Sequence, residues 1–169
     1  PDMVQVGNEI NHGLVWPVGS VMHLDSMSQL LAAGAAAVRS VAPHTSIMLH
    51  IALGGQNDES VFFLDQVLAR NVPVDVIGLS YYPKWHGTTD DLDANMRDLL
   101  RRFGKPVIVA EYSALKTEVN KIAFDLPGPQ TKGAFIWEPL STWEKFFDAD
   151  GKANNFLNLY DGIAHQYLQ

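Results

Sequence analysis

Two glutamates each follow a short apolar run, and their placement is the first feature of the sequence that suggests chemistry. Glu9 ends the stretch MVQVGNE directly after Asn8, and Glu111 ends the stretch PVIVAE. Glycoside hydrolysis needs one carboxyl group to protonate the leaving oxygen and a second to stabilise or attack the oxocarbenium-like centre. Aromatic rings supply flat apolar surface on which sugar faces can stack. These residue types therefore suit sugar chemistry.

The elements that must position these residues alternate along the chain. Short runs rich in Val and Ile predict strands at residues 3–6, 47–51, 76–80, 107–110 and 134–137. Helical spacing predicts helices near residues 26–41, 60–70, 92–103 and 156–168. Runs that are apolar on both faces and joined by helical crossovers are typical of a parallel sheet covered by helices. The predicted fold class is α/β.

The spacing of the strands favours a (β/α)8 TIM barrel over a doubly wound sheet. Strand ends recur about every 30 residues between positions 51 and 110, the length of one βα unit. The sequence ALGG at 52–55 has neither the GxGxxG nor the Walker spacing of a phosphate loop. A complete barrel needs about 250 residues and eight strands. Residues 1–169 are therefore predicted to be the C-terminal part of one catalytic domain, strands 4 to 8, with strands 1 to 3 absent from this chain.

In a barrel of this kind, polar residues at the C-terminal strand ends converge on one active-site face. Five strand ends contribute candidates, which are Asn8 and Glu9, His50, Tyr81 and Tyr82, Glu111, and Trp137 with Glu138. Glu9 and Glu111 are predicted to face each other across the barrel mouth. Glu138 is interpreted as structural, because neighbouring residues of a strand point to opposite faces.

Six segments together resemble glycoside hydrolase family 53, the arabinogalactan endo-β-1,4-galactanases. They are MVQVGNEI, WPVG, IGLSYYPKWHG, PVIVAEYS, GAFIWEPL and FFDADGK, which run through nearly the whole chain in the family's order. The resemblance implies a retaining (β/α)8 hydrolase that cleaves β-1,4-galactan, including the galactan side chains of pectin, by double displacement. It also implies secretion to the extracellular space or the periplasm.

The resemblance further implies a role for each matching residue. Glu9 is the expected acid/base and Glu111 the expected nucleophile. Asn8 is expected to bind the 2-hydroxyl of the sugar at the cleavage point, and a tyrosine of SYYP to orient the nucleophile. Trp137 is expected to form the floor of that subsite, and Trp85 and Trp16 are expected to line neighbouring subsites.

The histidines are predicted to contact substrate, to close a loop or to lie at the surface. His50 is predicted to contact substrate, and His86 either to contact the sugar or only to close its loop. The remaining histidines show no metal-ligand spacing and are predicted to lie at the surface; they are His12, His23, His44 and His165.

The segment 112–132 departs from the family pattern. Its helical signature is weak and is broken by LPGP, which predicts a short or irregular helix. Some family members bind calcium in the connection after strand 7. Glu118, Asn120 and Asp125 offer oxygens there but form no ordered ligand ladder. We therefore predict no cofactor and assign no metal site, and calcium binding in this connection stays open as the alternative.

Composition excludes several partners. The net charge is −7 with 12 unclustered Lys and Arg, which argues against nucleic acid. No apolar run reaches the roughly 18 residues that a membrane helix needs.

The predicted partners are a galactan polysaccharide or oligosaccharide and the missing N-terminal part of the barrel. Two alternatives remain, namely a related retaining hydrolase of β-mannan or β-glucan, and a non-catalytic carbohydrate-binding barrel fragment.

Overall fold

The structure is a computed structural model that describes residues 1–129, 132–140 and 144–168. Its strands are β1 (Met3–Gln5), β2 (Gly13–Leu14), β3 (Gly19–Ser20), β4 (Ser46–Ile51), β5 (Val76–Tyr81), β6 (Val107–Tyr112) and β7 (Ala134–Ile136). Its α-helices are α1 (Leu24–Val41), α2 (Asn57–Ala69), α3 (Pro83–His86), α4 (Thr89–Phe103), α5 (Lys116–Phe124) and α6 (Phe156–Tyr167). Two 3-10 turns, Ile10–His12 and Val21–His23, flank a small hairpin formed by β2 and β3.

The main sheet has the order β1-β4-β5-β6-β7, and all its neighbouring strands are parallel. Each crossover between these strands carries a helix, as parallel pairing requires. The sheet curls, and its architecture is that of a partial (β/α)8 barrel, so the predicted α/β barrel class is confirmed. The outermost strands, β1 and β7, are those that hold MVQ and AFI.

Side chains alternate between two environments across this sheet. One face packs on the helices and forms the main core, to which β4 contributes Leu49 and Ile51 and β5 contributes Ile77, Leu79 and Tyr81. The opposite, inner face holds a smaller apolar cluster of Met48, Val76 and Ile108. This period of two decides which polar residues face the interior of the curl.

The predicted strands and long helices are present, and the main differences lie at their beginnings. Helix α4 starts at Thr89 rather than at 92 because a capping box between Thr88 and Asp91 opens it, and such polar first turns lack apolar periodicity. The expected short helix after β6 exists as α5. The β2–β3 hairpin and α3 were not predicted, since elements of two to four residues carry no periodic signal.

Within the described residues, no helix combines the length and apolarity that crossing a membrane requires.

Candidate active site

The two glutamates predicted to act together do meet in space. Glu9 follows β1 and Glu111 lies in β6, and a carboxylate oxygen of each lies within 4.8 Å of the other and of a ring nitrogen of His50. All three residues sit at the C-terminal ends of parallel strands, the end at which barrel enzymes place their active sites.

A β-bulge determines where Glu111 points. Leu79 pairs with Val109, but the next pair is Ser80 with Glu111, so Ala110 is the extra residue in β6. Strict alternation from Val109, which lies in the main core, would have turned Glu111 back towards the helices. The extra residue reverses the alternation and directs Glu111 to the inner face with Glu9. Bulges next to active sites commonly redirect a side chain in this way.

Tyr82 holds the Glu111 carboxylate. Its hydroxyl donates a hydrogen bond of 2.7 Å to Glu111 Oε1. Burial raises the pKa of Glu111, the hydrogen bond from Tyr82 opposes that rise, and the charge of Glu9 adds to it. Burial and the Glu111 carboxylate together raise the pKa of Tyr82 far above its ordinary value, so the phenol remains a donor.

Asn8 is oriented by a buried relay. His50 Nδ1 lies 3.0 Å from Asn8 Oδ1, and His50 Nε2 lies 2.8 Å from Ser80 Oγ. Gln5 Nε2 also donates to Asn8 Oδ1, at 3.1 Å. With Oδ1 accepting, His50 carries its proton on Nδ1 and accepts from Ser80 at Nε2. Burial lowers the pKa of His50, which favours this neutral form and leaves the amide hydrogens of Asn8 for another acceptor.

Three residues expected at the substrate surface are instead buried. Tyr81 lies in the main core and its hydroxyl donates to Gly87 O at 3.1 Å, because position 81 continues the helix-facing series of β5. His50 is 1% exposed, and its two ring nitrogens lie against Asn8 Oδ1 and Ser80 Oγ. His86 is buried with Nδ1 2.9 Å from Ser80 O, and of its two predicted roles the geometry supports closing the loop.

The three tryptophans expected to line sugar subsites are exposed. The accessible fraction is 64% for Trp16, 54% for Trp85 and 45% for Trp137. Trp85 borders an open hollow of about 400 Å³ that Tyr82 and Ala114 also line. Tyr82 therefore borders this hollow and also donates to the Glu111 carboxylate. Lys84 Nζ lies 4.9 Å from the centre of the Trp85 ring.

Comparison with known proteins identifies the family of the chain. Residues 1–122 match the model of glycosyl hydrolase family 53. The chain belongs to glycosyl hydrolase family 53. An uncharacterised protein from the bgaB 5′ region of Niallia circulans is 48% identical over 200 residues, covering 94% of this chain and 55% of that protein. Arabinogalactan endo-β-1,4-galactanase A of Emericella nidulans is 30% identical over 170 residues, covering 82% of this chain and 49% of the enzyme.

Solved structures of family 53 share the fold. The catalytic domain of the Ignisphaera aggregans family 53 protein superposes with a TM-score of 0.87 at 29% identity, over 96% of this chain and 59% of that one. A fungal β-1,4-galactanase superposes with a TM-score of 0.82 at 24% identity, over 94% of this chain and 61% of that one, which bears on the fold alone. The chain thus spans about half the length of the curated relatives described above, and about 60% of these structures.

The donor atoms of Glu9, His50 and Glu111 are close enough to hold a metal ion. Both nitrogens of His50 already have partners, so ligation by His50 would break the contact with Asn8 or with Ser80. Two of the three residues considered for calcium already have protein partners. Asp125 pairs with Lys121, Asn120 donates to Tyr112 Oη, and Glu118 lies exposed on α5.

Sequence reasoning missed Ser80 and did not assign Glu138 to this family 53 site. Ser80 orients His50, and the period-two pattern of β5 could have placed it on the inner face. Glu138, interpreted as structural, is exposed, and its charge contributes to the raised pKa of Tyr82. The four histidines predicted at the surface are all exposed, namely His12, His23, His44 and His165.

Proposed function

We propose that this chain carries the catalytic residues of a retaining endo-β-1,4-galactanase. The observation that carries the proposal is the close pairing of Glu9 and Glu111 at the C-terminal ends of parallel strands. Carboxyl groups about 5–5.5 Å apart support double displacement, whereas inverting enzymes keep them about 6.5–9.5 Å apart to admit a water molecule. Oxygens within 4.8 Å of each other favour the retaining arrangement.

In the proposed first step, Glu111 attacks the anomeric carbon while Glu9 gives its proton to the departing glycosidic oxygen. Glu9 then removes a proton from water, and the resulting hydroxide releases the sugar from Glu111. The hydrogen bond from Tyr82 supports Glu111 as nucleophile, because it favours the ionised carboxylate and fixes its direction. The raised pKa of Glu111 acts in the opposite sense, and it predicts that activity falls as Glu111 takes up a proton on the acidic side.

The sugar at the cleavage point is proposed to accept a hydrogen bond from Asn8 at its 2-hydroxyl. The relay through His50 and Ser80 supports this role, because it fixes Asn8 Oδ1 as the acceptor within the protein. Trp137, Trp85 and Trp16 are proposed to stack on sugar faces, which their exposure supports. A galactan chain is too large to enter a cell, so we also propose that the enzyme is secreted and acts on arabinogalactan or on pectin side chains.

The catalytic roles can be tested in the complete enzyme by exchanging each glutamate. Glu111→Ala should abolish release of reducing ends from galactan, and azide should restore cleavage of an activated aryl galactoside by occupying the vacated position. Glu9→Gln should still form the glycosyl-enzyme from substrates whose leaving group needs no proton. Glu118→Ala, an exposed glutamate on α5, is the matched control and should behave as the unaltered enzyme.

Three results would contradict the proposal. Inversion of configuration, seen by NMR in early turnover, would exclude double displacement. Faster cleavage of β-mannan or β-glucan than of galactan would assign another substrate. Binding of galactan without release of reducing ends would indicate a non-catalytic carbohydrate-binding protein.

We also propose that the active unit contains further strands. The five-stranded sheet ends at β1 and β7, and its inner face carries the apolar residues Met48, Val76 and Ile108. Unpaired edges invite association or aggregation. Three further βα units, roughly 100 or more residues, would complete an eight-stranded barrel. Residues 1–169 expressed alone should self-associate and lack galactanase activity, and a soluble, fully active monomer would contradict this.

A further inference from the structure

The backbone of Glu9 adopts an unusual conformation. Its φ of 48° and ψ of 49° lie in the left-handed region, and the 3-10 turn Ile10–His12 follows immediately. This region costs a residue other than glycine on the order of 1 kcal/mol or more, and it persists only where the surroundings enforce it. Ile10 supplies part of that constraint, since it is 1% exposed and belongs to the main core.

Asn11 supplies the polar part of the constraint. Its side chain is 3% exposed, and its Oδ1 accepts a hydrogen bond of 2.9 Å from the Ala52 N–H just beyond β4. Its Nδ2 donates to Glu59 Oε1 in the first turns of α2. Asn11 therefore ties the turn after Glu9 both to the end of the neighbouring strand and to the helix layer.

Glu59 completes this arrangement. The oxygen that accepts from Asn11 also lies 2.9 Å from His12 Nε2, so two successive residues of the turn contact one carboxylate. Glu59 is partly exposed, and it contacts the turn through this one carboxylate oxygen.

We propose that Asn11 and Glu59 are positioning residues for Glu9, which hold its carboxylate within reach of Glu111 and of the leaving oxygen. The catalytic consequence rests on the proposed function, whereas the geometric consequence does not. Without Asn11, the Ala52 N–H and Glu59 lose a buried partner, and the left-handed turn loses its polar anchor.

The first test uses the leaving group. Acid catalysis contributes about 10²–10⁴-fold to such reactions. Asn11→Ala in the complete enzyme should therefore lower kcat/KM on galactan by at least about tenfold. It should change kcat/KM on a dinitrophenyl galactoside by less than about twofold, since that leaving group needs no proton. A general loss of folding or binding would lower both values together.

The second test needs no substrate. The charge of Glu9 raises the pKa of Glu111, so displacement of Glu9 should lower the pKa of Glu111. Titration of isotope-labelled Glu111 by NMR in Asn11→Ala should show this fall. Asn95→Ala is the matched control, because Asn95 is also buried and donates to Gly54 O and Ser60 Oγ without contacting the turn of Glu9. Its Glu111 titration should be unchanged.

Variants at Glu59 keep the proposal testable if Asn11→Ala fails to fold. Glu59→Ala removes the acceptor, so it should lower kcat/KM on galactan selectively and lower the pKa of Glu111. Glu59→Gln retains an acceptor oxygen, so both values should be those of the unaltered enzyme. Equal losses on both substrates, or an unchanged Glu111 titration in Asn11→Ala and Glu59→Ala, would overturn the positioning role. Absence of galactan cleavage by the unaltered complete enzyme would refute the proposed function, while the titration would still decide the positioning.

Discussion

Replacement of Tyr82 by Phe isolates the hydrogen bond that the structure places on the proposed nucleophile. The change removes the hydroxyl that donates to Glu111 Oε1 at 2.7 Å and keeps the ring that contacts Trp85 and His86 edge-on. Hydrogen bonds to charged groups contribute about 1.5–3 kcal/mol, and the lower end applies because Glu111 is only half-buried. A loss of about 1.5 kcal/mol corresponds to roughly a tenfold lower kcat/KM.

The pH dependence gives the same variant a second signature. The hydrogen bond from Tyr82 lowers the pKa of Glu111, so its removal should raise that pKa further. Because the proposed nucleophile must be ionised, the acidic limb of the kcat/KM profile should move to higher pH. Initial rates of reducing-end release from galactan, measured across the acidic and neutral range in the complete enzyme, provide the assay.

Tyr81→Phe is the matched control for this prediction. Its hydroxyl is buried in the main core and donates to Gly87 O, without contact to either glutamate. Its loss should cost about 1 kcal/mol of folding free energy and leave the acidic limb in place. An unmoved acidic limb in Tyr82→Phe, or the same movement in Tyr81→Phe, would refute the role of Tyr82.

Three further outcomes follow from the same contacts. Burial and the Glu9 charge raise the pKa of Glu111 above its value in the unfolded chain, so the ionised Glu111 makes the folded protein less stable as pH rises from the unfolded pKa through the folded one. Glu111→Gln should therefore raise the melting temperature at neutral pH by roughly 1–2 °C. An unchanged melting temperature at neutral pH would contradict this. Lys116 is buried, and its ammonium group donates to Ser113 O and pairs with Glu144. Lys116→Met should therefore lower the free energy of unfolding by about 2–3 kcal/mol, measured with denaturant. Because the ammonium group joins these residues, a chelator should not change the melting temperature of the unaltered protein. Trp85→Ala should weaken galacto-oligosaccharide affinity about fivefold by calorimetry with a smaller effect on kcat, and an unchanged affinity would remove Trp85 from the site.

The sequence by itself determined the order of strands and helices and the two carboxylates. Apolar runs and helical spacing are local signals that survive without tertiary information, which is why all five strands of the main sheet were predicted within two residues at each end. Glu9 and Glu111 were predictable because parallel strands bring their C-terminal ends to one edge, wherever the strands lie in the chain. The family motifs then separated a galactanase-like site from other α/β sites.

The tertiary structure alone decided which face each neighbouring residue occupies. The bulge at Ala110 turns Glu111 to the inner face, and no local pattern in PVIVAEY predicts that bulge. The choice of Tyr82 over Tyr81 depends on that same face, since Tyr81 continues the core series and only Tyr82 reaches Glu111. The contacts of Asn11 with Ala52 and Glu59 join residues 41 and 48 positions apart. Such contacts depend on strand register and on helix placement, which are set when the whole sheet packs and not by any single segment.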